Sequence, residues 1–364
     1  MANAVLNLSD LNGSNGFVIN GIDAYDQSGH SVSSAGDINR DGFDDLIIGA
    51  RYADPNGETN AGESYVVFGS NSAFDAQLNL SSLNGSNGFV INGIYAYDQS
   101  GYSVSSAGDI NGDGFDDLII GALPRYANGQ DRAGSSYVVF GSNSGFDAQL
   151  NLSSLNGSNG FVINGIDAGD RSGGSVSSAG DINGDGFDDL IIGVPSAENY
   201  AGSSYVVFGS NSGFDAQLNL SSLNGSNGFV INGIDAGDRS GGSVSSAGDI
   251  NGDGFDDLII GVPSAENYAG SSYVVFGSNS GFDAQLNLSS LNGSNGFVIN
   301  GIDARDFSGG SVSSAGDING DGFDDLIIGA NGVENYAGSS YVVFGSNSGF
   351  DAQLNLSSLN GSNG

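Results

Sequence analysis

The sequence predicts an all-β protein, a β-propeller of five four-stranded blades with about 68–72 residues per repeat. Three observations carry this expectation. A nine-residue motif, Asp-x-Asn-x-Asp-Gly-x-x-Asp, occurs five times, beginning at Asp37, Asp109, Asp181, Asp249 and Asp317. Its spacings are 72, 72, 68 and 68 residues, a period that suits a four-stranded blade better than the shorter helical repeats. Between the motifs lie short apolar runs separated by turn residues, among them 63 Gly, which is the pattern of many short strands. Residues 146–213 and 214–281 are identical, a sign of recent duplication or design.

Within a unit four strand positions, A to D, can be read in order. Ser31-Val-Ser-Ser-Ala-Gly36 is built of small residues, as crowding near a central axis requires. The motif follows, and then Asp45-Leu-Ile-Ile-Gly49, too apolar to have a wet face. Ser64-Tyr-Val-Val-Phe-Gly69 is rich in β-branched and aromatic residues. Gly88-Phe-Val-Ile-Asn-Gly-Ile94 is the fourth strand, preceded by a Leu-Asn-Leu-Ser-Ser-Leu segment that reads equally as a helical turn or an extra edge. Residues 16–22 are a D strand ahead of the first A strand, and the last unit has no D strand after it. Closure of the ring by pairing of 16–22 with 340–345 is therefore expected, since it would remove the free edges. The whole of 1–364 then reads as one domain. Residues 351–364 form a redundant tail, because Leu354–Gly364 nearly repeats Leu6–Gly16 and only one copy fits a closed ring.

The nine-residue loops (37–45, 109–117, 181–189, 249–257 and 317–325) supply oxygen at alternate positions, which is what a hard cation such as Ca²⁺ requires. The expected ligands of the first are Asp37, Asn39, Asp41, the Phe43 carbonyl and Asp45. Those of the second are Asp109, Asn111, Asp113, Phe115 and Asp117, and of the third Asp181, Asn183, Asp185, Phe187 and Asp189. Asp249, Asn251, Asp253, Phe255 and Asp257 make the fourth set, and Asp317, Asn319, Asp321, Phe323 and Asp325 the fifth. One Ca²⁺ per repeat, five in total, is the expectation. The loop resembles the first nine positions of an EF-hand, without the closing Glu or flanking helices. A plain Asp/Asn/Gly turn is the alternative. The adjacent Asp44-Asp45 pair is accounted for by metal and solvent, and Arg40, at a position that is not a ligand, leaves its site intact with altered affinity.

The Gly-Asp-Ile-Asn-Gly-Asp-Gly-Phe-Asp-Asp-Leu-Ile-Ile-Gly run and the later Tyr-Val-Val-Phe-Gly strand together resemble FG-GAP repeats, the blades of the integrin α-subunit propeller, over residues 16–350. The resemblance implies the same calcium ligands and a role in extracellular adhesion. This chain departs from the pattern in having five units where integrins have seven. Its Gly-Val-Pro at 193–195 stands for the family's Gly-Ala-Pro, and neither an inserted domain nor Arg-Gly-Asp is present.

Charge narrows the partners. There are 42 acidic residues against seven Arg and no Lys, a net charge of −35, which disfavours nucleic acid and anionic membrane surfaces. No apolar run is long enough for membrane insertion. The absence of cysteine excludes disulfides and thiolate metal sites. With one histidine, His30, a Ser-His-Asp triad has little support. A polysaccharide lyase of propeller fold stays as an enzymatic alternative. The units differ mainly in the B–C and D–A connections, which share the blade face opposite the calcium loops. That face carries Tyr25, Arg51, Tyr52, Tyr95, Tyr97, Tyr102, Arg125, Tyr126, Arg132 and Phe307, residues suited to a protein or glycan contact. A non-enzymatic, calcium-stabilised, extracellular propeller, present as a monomeric ring, is the reading. A lectin of the same fold, or a structural or designed scaffold without ligand, is the alternative. No signal peptide is visible at the start of the sequence.

Overall fold

The computed structural model describes residues 6–123 and 133–364. In the first unit β1 (Val18–Asn20) precedes β2 (Ser31–Gly36), β3 (Asp45–Ala50), β4 (Glu63–Val67), β5 (Gln77–Asn79) and β6 (Gly88–Asn92). Strands β2, β3, β4 and β6 occupy positions A to D and pair antiparallel in that order, with Val32 opposite Ile48, Ile47 opposite Val66, and Val66 opposite Phe89. The β-branched and aromatic residues of these runs suit a pleated, half-buried surface, which is why they extend.

Four of the sheets among the described residues have five strands, not the four expected. Gln149–Asn151 of the second unit lies parallel on the outer edge of β6, with Leu150 opposite Ile91. Gln217–Asn219, Gln285–Asn287 and Gln353–Asn355 repeat this on the next three sheets. The ambiguous Leu-Asn-Leu-Ser-Ser-Leu segment is thus both an edge strand and, from Leu80 to Ser82, a 3₁₀ turn closed by Leu83 N–H on the Leu80 carbonyl at 3.2 Å. Each unit thereby laces onto the one before it.

The expected ring closure is not formed. β1 pairs parallel with β5, Val18 opposite Gln77, in a separate two-stranded sheet. The last sheet has only Ser308–Gly316, Asp325–Ala330 and Ser339–Val343. The physical reason is in the sequence of the repeat: β1 is held by the Gln-Leu-Asn edge that holds every other D strand, and by the stack of Phe17 on Phe74 at 4.5 Å. The C-terminal copy of the duplicated segment is the docked one, with Leu356 at 2% exposure, whereas Leu8 in the N-terminal copy is 78% exposed.

The core lies between consecutive sheets, so it is a series of interfaces and not one centre. Between the first two, Ala35, Ile38, Ile47 and Val66 of one meet Val104, Leu118, Ile120 and Val139 of the next. A phenylalanine trio seals each interface: Phe161 stacks on Phe214 at 4.4 Å with Phe140 tilted against both, and the same three-ring set recurs around Phe89, Phe229 and Phe297. Offset stacks of this kind add to the burial of large apolar surface.

Candidate metal loops and variable loop face

Each nine-residue loop winds around its first aspartate. Asp181 Oδ1 accepts from the N–H groups of Gly184 and Asp185 at 2.7 and 3.0 Å, and Oδ2 from Gly186 at 2.9 Å. Asn183 Oδ1 accepts from Asp185 N–H at 2.8 Å, and Asp185 Oδ1 from Phe187 N–H at 3.1 Å. Asp189 is fully buried and holds the Ile182 and Gly209 N–H groups at 3.2 and 2.8 Å. The side chains therefore serve their own backbone, and among the described residues no three acidic or imidazole groups converge as a metal cluster.

The chemistry of the donors still fits a hard cation. The ninth-position aspartates Asp45, Asp117, Asp189, Asp257 and Asp325 are all fully buried. Burial, with added repulsion from Asp185 and Asp181, pushes the Asp189 carboxyl up to about 8, and burial raises Asp45 to about 7. A buried carboxylate facing other carboxylates is costly unless a positive charge joins it. Only oxygen donors are offered, as Ca²⁺ prefers.

Sequence reasoning missed what the other aspartate of the pair does. The expectation that Asp44-Asp45 is explained by metal and solvent is corrected here for its equivalents in later units. Asp116 Oδ2 accepts from the Asp37 N–H of the preceding loop at 2.7 Å. Asp188, Asp256 and Asp324 likewise hold Asp109, Asp181 and Asp249 at 2.8, 2.8 and 3.0 Å. A Cβ on Gly36, which has φ of +67°, would fall 2.3 Å from the Asp116 carboxylate, so this glycine is needed twice over. From the same neighbouring sheet Ser142 N–H donates to the Ile38 carbonyl at 2.9 Å. The fourth loop position is where the next unit's Phe ring packs, since a Cβ on Gly184 would meet Phe255 Cε1 at 2.3 Å. In the first unit Arg40 stands there and lays its guanidinium over Phe115 at 5.4 Å. Each loop is therefore a joint between sheets. Asp256→Ala should cost about 1.5–3 kcal/mol of stability by removing a charge-assisted bond. Asp44→Ala, where the carboxylate is exposed and has no earlier nine-residue loop to hold, should cost almost nothing; urea unfolding of the two variants checks the contrast.

At the opposite ends of the strands, the B–C and D–A connections touch. Gln99 and Ser100 N–H donate to the Asn60 and Ala61 carbonyls at 3.1 and 2.8 Å, and Tyr97 N–H to Thr59 at 2.8 Å. Of the residues expected on this face, Arg51, Tyr52 and Tyr102 come together. The Arg51 guanidinium lies 4.7 Å from the Tyr52 ring and 5.2 Å from that of Tyr102. It donates twice to Gln27 Oε1 at 3.1 and 2.8 Å, and its Nη1 lies 2.9 Å from His30 Nε2. Burial first, and then the Arg51 charge, holds the His30 pKa below its ordinary value. Tyr25 stands apart at 92% exposure, and Tyr95 and Tyr97 are also exposed. Phe307 packs on Tyr268 at 5.6 Å. Arg125, Tyr126 and Arg132 lie outside the described residues.

Tyr200, Tyr268 and Tyr336 belong to the same face and were not anticipated. Each ends a run of three non-glycine residues in the left-handed region, such as Glu198, Asn199 and Tyr200 with φ of 49°, 57° and 64°. L-residues pay for that conformation, and here the Tyr200 carbonyl accepts from Arg239 N–H at 2.9 Å while the Arg239 guanidinium covers the Tyr200 ring at 5.6 Å. The threefold recurrence of Asn-Tyr-Ala-Gly was the available signal.

Comparison with known proteins agrees with this geometry. The FG-GAP repeat family matches residues 28–67, 100–139, 172–207, 240–275 and 308–343, more than half of the chain. The chain belongs to the FG-GAP repeat family. It is 30% identical over 232 residues to integrin alpha-4 of Xenopus laevis, covering 63% of this chain and 19% of that protein. It is 34% identical over 174 residues to integrin alpha-PS5 of Drosophila melanogaster, covering 46% and 15%. A third relative, phosphatidylinositol-glycan-specific phospholipase D of Bos taurus, is 32% identical over 195 residues, covering 49% and 22%. The chain thus spans about a fifth or less of the length of these two integrins and little more of the phospholipase. Among the described residues no helix is long and apolar enough to cross a membrane.

Proposed function

We propose that this chain is a non-enzymatic array of propeller blades, acting as one domain in extracellular adhesion or protein binding and held rigid by calcium. The five FG-GAP matches and the integrin relatives support the adhesive reading. In each loop the first, third and fifth side chains, the seventh carbonyl and the ninth carboxylate would hold one Ca²⁺, for example Asp181, Asn183, Asp185, Phe187 and Asp189. The ion would neutralise the buried ninth carboxylate and fix the joint between neighbouring sheets. Millimolar calcium outside cells suits sites of this type, whose dissociation constants are about 10⁻⁴–10⁻³ M.

The observation that carries the ligand face is the Arg51, Tyr52 and Tyr102 cluster, three recognition-prone side chains preorganised by Gln27 and His30. Tyr and Arg are the residues most enriched at binding hot spots. The Tyr200–Arg239 and Tyr268–Phe307 pairs supply repeated aromatic platforms, which favours a glycan as the second reading. Adhesion of cells to surfaces coated with the chain should require calcium and fall at least tenfold in the Arg51→Ala, Tyr102→Ala double variant. A glycan array showing several equivalent sugar sites instead, unaffected by that variant, would favour the lectin. Adhesion unchanged by both chelator and variant would refute this ligand face.

A further inference from the structure

Beside each nine-residue loop lies a cavity that belongs neither to the calcium ligand set nor to the Tyr and Arg face. In the fourth unit it measures about 470 Å³ and lies between Asp253, the turn at 276–283 and the segment 285–295. The first, second and fifth units repeat it at about 750, 570 and 430 Å³, with nearly the same residue types around it. These volumes fall in the range of small-molecule sites. The sequence that builds it, Gly-Ser-Asn-Ser-x-Phe-Asp-Ala-Gln-Leu-Asn, follows every C strand, that of the third unit included.

The walls are held by local bonds that leave particular groups unused. In the fourth unit the Ser278 and Ser280 hydroxyls are 2.8 Å apart, and Ser280 N–H donates to Ser278 Oγ at 3.1 Å. The Ser290 hydroxyl donates to the Asn287 carbonyl at 2.7 Å, and Asn295 Nδ2 to the Ser290 carbonyl at 3.4 Å. Asn287 Oδ1 accepts from Asn232 Nδ2 at 3.1 Å, so the Asn287 amide hydrogens stay available. Among the described residues no hydrogen bond engages the exposed Asp283 carboxylate or the Gln285 side-chain amide. Phe282 and Leu286 add an apolar wall, and the Phe282 ring is fixed by its stack on Phe229 at 4.5 Å. One cavity thus offers a free carboxylate, two free amides and an aromatic ring.

We propose that these cavities bind a neutral, hydroxyl-rich glycan, one sugar site per unit, on the same face as the calcium loops. A sugar hydroxyl both donates and accepts, which matches a carboxylate set beside amide hydrogens. No Lys, Arg or His lines the cavity, so nothing there would neutralise a sulfate, phosphate or uronate, and the charge of −35 repels all three. A peptide strand would need an edge to pair with, and Gln285–Asn287 is too short to provide one. The site is separate from the Tyr and Arg face and rests on none of its residues. Several weak, equal sites on one chain favour a polymer over its monosaccharide, because linkage raises avidity by about 10²–10⁴.

The test is affinity electrophoresis of the full chain in calcium, through gels containing dextran, mannan or galactan, with alginate as the acidic control. Retardation is read against a polymer-free gel, which removes differences in charge between variants. At least one neutral polymer should retard the chain, and alginate should not. The corresponding free hexose should compete only at roughly a hundredfold higher concentration or more. Asp75→Ala, Asp147→Ala, Asp215→Ala, Asp283→Ala and Asp351→Ala, made together, remove the unbonded carboxylate from every unit. That variant should keep the wild-type melting temperature and lose at least about tenfold in affinity, the effect of a lost bond to a charged group. The Arg51→Ala, Tyr102→Ala variant and the Tyr200→Ala, Tyr268→Ala, Tyr336→Ala variant should bind as wild type, which separates this site from the opposite face. A chain that none of the three neutral polymers retards overturns the proposal. So does retardation that survives the five aspartate substitutions, or that alginate matches.

Discussion

Removing calcium is expected to lower the melting temperature by roughly 10 °C relative to millimolar Ca²⁺, with Mg²⁺ unable to replace it. A ligand that binds only the folded form stabilises it by RT ln(1 + [Ca²⁺]/Kd), about 1.4 kcal/mol per site at a tenfold excess. Five loops of the same kind would then contribute roughly 7 kcal/mol, a large fraction of ordinary domain stability. The source of the effect is local. Asp189 and its four counterparts are fully buried, and Asp45, Asp117, Asp189 and Asp257 feel the repulsion of other carboxylates in their loops, with no basic partner among the described residues. The same loops clamp neighbouring sheets through Asp116, Asp188, Asp256 and Asp324, so loosening a loop loosens an interface. Mg²⁺ demands a smaller, stricter octahedron and holds its water, so it should leave the melting point near that in chelator. Equal melting in chelator and in calcium would remove the structural role of the ion.

Phe229→Ala should cost about 3–5 kcal/mol, the range for emptying a fully buried aromatic site. The ring is at 0% exposure, stacked on Phe282 at 4.5 Å and tilted against Phe208 at 5.9 Å. It lies between sheets, so its loss weakens two units at once and should broaden the urea transition as neighbours uncouple. Phe161→Ala, in the identical preceding unit, should give nearly the same loss. Phe17→Ala should cost far less, because Phe17 is only half-buried and keeps a single stacking partner, Phe74. Similar losses at Phe229 and Phe17 would contradict an interface-based core.

Much of the fold was legible because the repeat states the same physical solution five times. The small A strand, the apolar B strand and the aromatic C strand fall where periodicity and composition put them, from Ser31 to Val67 in the first unit. The fifth strand was not legible. Gln77–Asn79 is only three residues long, with one apolar side chain, and its role depends on an edge supplied by another unit. Closure failed for a related reason: residues 16–22 carry the signature of a D strand, but the sequence does not say whether a C strand or a Gln-Leu-Asn edge holds them. At the candidate site, the spacing of Asp181, Asn183, Asp185 and Asp189 was visible at once. The clamp made by Asp188 was not, because it acts 79 residues away on Asp109 N–H and looks in sequence like a second solvated carboxylate.

The central claim, that these loops are calcium sites which hold the sheets together, is tested most directly by counting calcium. Equilibrium dialysis with radioactive Ca²⁺ should find five ions per chain for wild type. Asp185→Ala should bind four and still fold, since neighbouring loops keep theirs. A wild-type chain that binds no calcium at millimolar concentration, while folded, would contradict the account.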